Sequence, residues 1–165
     1  MGLIGDSNFN GINVPEINYF MRNVEVNKYS YSGATSLHLK HYCDILLEDQ
    51  PQAVLIHVGT NDVWGRNRRD VPNEQIAKDI IDIGLKCKSK GVDDIYISSI
   101  LITKVEDSNR RASEVNELLK LFCTEHNFSY INNDFITKDD LKDQVHLTTE
   151  GRYDLVDNYI NTLEA

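Results

Sequence analysis

The sequence predicts an α/β domain with one five-stranded parallel sheet and helices on both faces. Three observations carry this. Strand-like apolar runs alternate with helix-period stripes, and the connections between them are short. The run from Ala53 to Val58 is almost wholly apolar, as a strand covered on both faces must be. The length of 165 residues suits a single domain spanning positions 1–165.

Leu3 and Ile4 lead straight into Gly5-Asp6-Ser7-Asn8, the end of a buried strand entering a turn, so the first strand reads as clipped at its start. Val24 to Tyr31 is rich in β-branched and aromatic residues and reads as the second strand, ending at Ser32-Gly33. A helix follows over Thr35 to Glu48, with Leu39, Cys43 and Leu46 on one side and Pro51 past its end. Ala53 to Val58 is the third strand, closed by Gly59. Beyond a polar stretch from Gly65 to Asp70, Ile76, Ile80, Ile83 and Cys87 recur at helical spacing, predicting a helix from Asn73 to Lys90 that Gly91 ends. Ile95 to Ile102 is the fourth strand. Val115, Leu118, Leu119, Phe122 and Cys123 form the stripe of the next helix. Phe128 to Ile131 is a short fifth strand, and a polar loop runs on to His146. A last helix carries Val156, Tyr159, Ile160 and Leu163.

Hydrophobic residues at 41% and charged residues at 26% are globular usage. The formal net charge of −9 repels a phosphate backbone, which argues against direct nucleic-acid binding by this domain. Cys43, Cys87 and Cys123 are too few and too spread for a disulfide framework and form no C-x-x-C pair, so a reducing, cytoplasmic compartment fits. No apolar run is long enough for a transmembrane segment, and Met1-Gly2 opens no signal-peptide pattern, although a leader already cut away would leave the same sequence. Peripheral lipid contact and oligomeric state stay open.

In open parallel sheets, ligands bind outside the carboxyl ends of the strands. The polar motifs fall there: Gly5-Asp6-Ser7 after the first strand, Gly33 after the second, Gly59-Thr60-Asn61-Asp62 after the third and Asp143 to His146 after the fifth. A serine hydroxyl becomes a nucleophile when a base takes its proton, and the base works best when a carboxylate fixes its tautomer. Ser7, His146 and Asp143 fill these roles. Acyl transfer also needs fixed donors aimed at the oxyanion; the backbone N–H groups of Ser7 and Gly33 and the side-chain amide of Asn61 are the candidates. A glycine at 33 lets backbone approach a ligand closely.

These four blocks, Gly5-Asp6-Ser7, Gly33, Gly59-x-Asn61-Asp62 and Asp143-x-x-His146, resemble those of the SGNH (GDSL-type) hydrolases, in order and over nearly the whole chain. The resemblance implies a flavodoxin-like three-layer α/β/α sandwich, no metal and no organic cofactor. It implies hydrolysis of esters or thioesters through an acyl-serine intermediate. By position, Ser7 is the nucleophile, His146 the base, Asp143 its partner, and Ser7, Gly33 and Asn61 the oxyanion hole. Asn8 departs from the family's commonest leucine. A weaker resemblance, through Ser32-Gly33-Ala34-Thr35, the lack of insertions and the abrupt start, is to the compact esterase domains of some non-LTR retrotransposon first reading-frame proteins. Bacterial acetylesterases and platelet-activating-factor-acetylhydrolase-like proteins are equally compatible.

Plainer roles stand beside these. An isolated Ser7 reads as a helix N-cap, Asp143 as a loop carboxylate and His146 as a surface histidine; the four blocks together outweigh that. Asp6 and Asp62 support loop geometry by accepting backbone hydrogen bonds. His38, His41 and Asp44 share a helix but lack a fourth metal ligand, and His57 reads as a core histidine. Trp64 is placed either to wall the acyl pocket as a substrate-binding residue or to pack the rim. Arg66, Arg68, Arg69 and Arg110-Arg111 read as solvated loop charges, with an anionic head group as the alternative. The cysteines read as small buried hydrophobes. The expected function is a serine esterase for small or short-acyl esters, of lipids or acetylated carbohydrates. The rivals are a lipid- or carbohydrate-binding module that keeps the pocket, and an O-acyltransferase using the same residues.

Overall fold

The computed structural model describes residues 1–9, 11, 12, 14 and 25–164. Strands β1 (Gly2–Gly5), β2 (Asn27–Ser30), β3 (Ala53–His57), β4 (Asp94–Ser98) and β5 (Ser129–Ile131) form one sheet in the order β2-β1-β3-β4-β5. Every neighbouring pair is parallel, which is the flavodoxin-like order. β1 ladders along its whole length on both sides, from Gly2↔Asn27 to Gly5↔Ser30 and from Gly2↔Val54 to Gly5↔His57.

Among the described residues the α-helices are α1 (Ser36–Leu46), α2 (Thr60–Val63), α3 (Asn73–Ser89), α4 (Glu106–His126) and α5 (Thr149–Glu164). Because side chains alternate along a strand, the sheet feeds two cores. Ile4, Val54, Ile56, Ile95 and Ile97 pack with Leu39 and Cys43 of α1, Ile76, Ile80 and Ile83 of α3, and Val115 and Leu119 of α4. Leu3, Leu55 and Ile131 face the other way, toward Leu155, Tyr159 and Ile160 of α5. Three layers result.

The ends of the elements differ from the sequence expectation for identifiable reasons. β4 stops at Ser98 rather than at Ile102 because the Asn116 side chain takes over the backbone of Ile100, accepting from its N–H at 2.8 Å and donating to its carbonyl at 3.1 Å. Phe128 stands outside β5 because its N–H returns to Cys123 O at 2.9 Å, closing α4 around Asn127 in the left-handed region at φ 58°. β2 begins at Asn27; Val24 lies outside the described residues. α3 ends one residue early, and Gly91 at φ 93° follows its cap.

At the start of α1, Thr35 Oγ1 accepts the N–H of His38 and His38 Nδ1 accepts the N–H of Thr35. His38 is therefore a capping residue, and among the described residues no group of three or more His, Cys, Asp or Glu is placed to hold a metal. All three cysteines are buried and unpaired, and burial pushes the Cys87 and Cys123 thiols up to about 12.

Candidate active site

β2 lies on one side of β1 and β3 on the other, so the strand order reverses at β1. The crevice at that reversal is where such sheets take ligands. Ser7 leaves the end of β1 in a 3₁₀ turn, Ser7–Phe9. Asp6 fixes the turn: its Oδ1 accepts the N–H of Asn8 at 3.0 Å and its carbonyl accepts that of Phe9 at 3.1 Å.

From beyond β5, a small closed loop brings the histidine. Leu141 and Leu147 form an antiparallel bridge, and Lys142 N–H donates to His146 O at 2.9 Å. Within this loop Asp143 Oδ1 accepts the backbone N–H groups of Val145 and His146, at 2.9 and 2.8 Å, while Oδ2 accepts His146 Nδ1–H at 2.8 Å. That bond leaves the lone pair of Nε2 free, and Nε2 lies 3.5 Å from Ser7 Oγ. Serine, imidazole and carboxylate thus stand in line. Partial burial raises the Asp143 carboxyl, but the His146 and Val145 amides and the His146 ring outweigh it and hold the group at about 2.

Gly33 occupies φ 73°, a region other residues enter at a cost. Its turn is tied to the β3 loop twice, by Asn61 Nδ2 donating to Ala34 O and Asn67 Nδ2 donating to Gly33 O, both at 3.0 Å. The N–H groups of Ser7 and Gly33 carry no partner among the described residues, and Asn61 keeps one amide hydrogen beyond its bond to Ala34.

Asp62, beside Asn61, is buried and accepts Ser36 N–H at 2.9 Å and Ser36 Oγ–H at 2.7 Å. Arg69 lies 3.2 Å from Asp62 and 2.7 Å from Asp79, and Lys40 bridges Asp79 at 3.1 Å to Asp82 at 2.7 Å. Burial pushes the Asp62 carboxyl up against the pull of Ser36 and Arg69. Arg69 is therefore no solvated loop charge, which corrects the sequence expectation. Arg111 is another correction, since its guanidinium donates to Asn73 Oδ1, Arg69 O and Val71 O at 2.8 to 3.0 Å and clamps the same loop. Nothing in the spacing of these residues signals the network.

His57 and Ser98 make a second serine–histidine contact, Nδ1 to Oγ at 2.9 Å, with Tyr159 OH at 3.1 Å from the same nitrogen. Both residues are buried, Phe9 stacks on the ring, and burial lowers the imidazole to about 4. This is a neutral core histidine, as expected, with no route for a substrate. Asp6 is also fully buried; burial, with Asp62 adding to it, pushes its carboxyl up to about 7, and its Oδ2 has no partner among the described residues.

A hollow of about 220 Å³ opens beside Ser7, with Asn8, Ser32, Lys142, His146 and Arg152 also among its walls. Gly33, Asn61 and Trp64 are not among its described lining residues. Trp64 is half-buried at the end of α2, where its N–H donates to Thr60 O at 2.9 Å. A second hollow, of about 230 Å³, lies along α4. Its amides are already engaged, Asn116 with Ile100 and Asn109 with Thr103. Among the described residues, no helix is long and apolar enough to cross a membrane.

The sequence profile of the GDSL-like lipase/acylhydrolase family matches residues 3–152. A comparison with curated protein sequences finds no match. Among solved structures, a lipase/acylhydrolase from Enterococcus faecalis superposes with a TM-score of 0.83 at 17% identity, over 99% of this chain and 94% of its own. A catalytic mutant of an acetylxylan esterase from Geobacillus stearothermophilus gives 0.81 at 17% identity, over 97% and 91%. A psychrotrophic esterase from a Pseudoalteromonas species, inhibited by monoethylphosphonate, gives 0.79 at 18% identity, over 99% and 95%.

Proposed function

The chain belongs to the GDSL-like lipase/acylhydrolase family and is a carboxylic ester hydrolase, and we propose that it cleaves small, short-acyl esters through an acyl-serine intermediate on Ser7. The alignment of Ser7 Oγ, the His146 ring and the Asp143 carboxylate carries this reading.

In the proposed cycle Ser7 Oγ attacks the ester carbonyl carbon while its proton passes to His146 Nε2. The Nδ1–H bond to Asp143 orients the ring and stabilises the imidazolium. The carbonyl oxygen becomes an oxyanion that accepts from the N–H groups of Ser7 and Gly33 and from Asn61 Nδ2. Collapse breaks the bond to the alcohol, which leaves with the proton from His146. A water then attacks the acyl-serine, gives its proton to His146, and releases the acid as Ser7 recovers its hydrogen. The Ser7–His146 distance is 3.5 Å, and catalytic hydrogen bonds of this kind tighten around the substrate.

Cavity size supports the short acyl group. At about 220 Å³ the hollow is below the roughly 300–1,000 Å³ of pockets for drug-sized ligands. The fold likeness to an acetylxylan esterase is in keeping with acetyl transfer to water. The test is a panel of p-nitrophenyl esters of graded acyl length, run on the wild type and Ser7→Ala. Acetate and propionate should be cleaved fastest and the variant should lose at least about 10⁴-fold in kcat; a variant that keeps turnover rules Ser7 out.

A further inference from the structure

We propose that the ester cleaved at this site carries an anionic group, a carboxylate or a phosphate, close to the scissile bond, and that Arg152 and Lys142 hold it; this rests on the hydrolase reading above.

The chain has a formal net charge of −9, yet the hollow beside Ser7 has two cationic walls and no carboxylate among its described lining residues. Arg152 is placed for binding rather than for stability. Its guanidinium lies against the bare backbone of Gly11, where a Cβ would stand 2.6 Å from Cδ and Nη1 and 2.8 Å from Nε. Glycine at 11 is what lets the planar group lie there. Among the described residues the guanidinium makes one long hydrogen bond, Nη2 to Thr149 Oγ1 at 3.4 Å, and no ion pair. Arg69, Arg110 and Arg111 are by contrast committed, to Asp62 and Asp79, to Asp107, and to three oxygens respectively.

Lys142 sits on the loop that carries the base, its backbone N–H bonded to His146 O. Its ammonium forms no ion pair among the described residues and is exposed to solvent. The nearby Asp143 carboxylate has both oxygens engaged by His146 and Val145. A guanidinium with unfilled parallel donors matches the two oxygens of a carboxylate or phosphate, and a flexible ammonium adds a second charge. Since the same hollow contains Ser7 and His146, an anion held there is within a few bonds of the reacting carbonyl.

The experiment compares kcat/KM for three acetate esters of matched phenols: one bearing a carboxylate, one a methyl phosphate diester, one a neutral amide. The wild type should favour at least one charged ester over the neutral one by about tenfold, with a preference that shrinks as salt is added. Which charged ester leads tells carboxylate from phosphate. Arg152→Gln and Lys142→Gln should each lower the charged-to-neutral ratio, and the double variant should abolish it. Lys78→Gln, which removes an exposed lysine paired with Glu74 on α3, should leave the ratio unchanged. Should Arg152→Gln fail to fold, Lys142→Gln alone decides. A wild type without preference, or a ratio insensitive to both substitutions, overturns the proposal and leaves the esterase reading intact; a wild type inert toward all three esters overturns both.

Discussion

Asp143 holds His146 at two points at once: one carboxylate oxygen accepts the histidine's backbone N–H and the other accepts its ring Nδ1–H, each at 2.8 Å. The same side chain therefore places the residue and selects its tautomer. Asp143→Asn keeps the backbone contact but presents an amide N–H to Nδ1, forcing the ring into the form in which Nε2 already carries a proton. kcat should fall by about 10⁴-fold, less than for His146→Ala, with an unchanged near-ultraviolet circular dichroism spectrum. Equal losses for the two would assign Asp143 more than an orienting part.

Asp62 is the hub of the polar network beside Asn61 on α2. Asp62→Asn removes the charge facing Arg69 and weakens the acceptor for both Ser36 donors. Breaking one partner out of a buried network of this kind should cost about 2–4 kcal/mol in urea unfolding. If Asn61 acts as an oxyanion donor, the folded variant should also lose kcat more than it raises KM.

The buried Asp6 makes stability depend on pH in a direction opposite to that of most carboxylates. Its folded-state value, about 7, lies above the ordinary 3.8, so between these limits the native protein retains a proton that the unfolded chain releases. The contribution of Asp6 is thus fully present below pH ~4 and is lost as pH rises toward ~7. Asp143, held at about 2, acts the other way, adding stability above pH ~4 that is lost as pH falls toward ~2. Unfolding of the wild type and Asp6→Asn at pH 5 and pH 8 separates the first effect: the variant should gain on the wild type at the higher pH.

Gly33→Ala should be costly for two reasons. A side chain at φ 73° is strained by about 1–2 kcal/mol, and its Cβ would stand 3.2 Å from Asn67 Nδ2, which bonds the Gly33 carbonyl. If the Gly33 N–H faces the oxyanion, displacing it should lower kcat by about tenfold or more. A melting-temperature loss with unaltered kcat would reduce Gly33 to a turn residue.

Strand and helix order were legible because two-residue and 3.6-residue periodicities are local: Val54, Leu55 and Ile56 announce a strand covered on both faces, and Ile76, Ile80 and Ile83 a helix. The Asp143–His146 contact was legible too, since the two residues are three apart and the intervening backbone closes on itself. The burial of Arg69 is not legible in the sequence because its partners come from separate elements, Asp62 on α2 and Asp79 on α3. No periodicity marks a charge that is buried by its neighbours. The capping role of His38 was closer to hand, since Thr35-x-x-His38 has the spacing of a capping box with histidine in place of glutamate. No local pattern marks Arg152, because what qualifies it, the bare backbone of Gly11, lies at the other end of the chain.

The bridge between Leu141 and Leu147 makes the carboxylate and the imidazole a cassette with its own internal geometry. In the proposed cycle, tilting that cassette as one piece leaves every contact inside it unchanged, and the proton path from the serine then varies with one span alone, the 3.5 Å between His146 Nε2 and Ser7 Oγ.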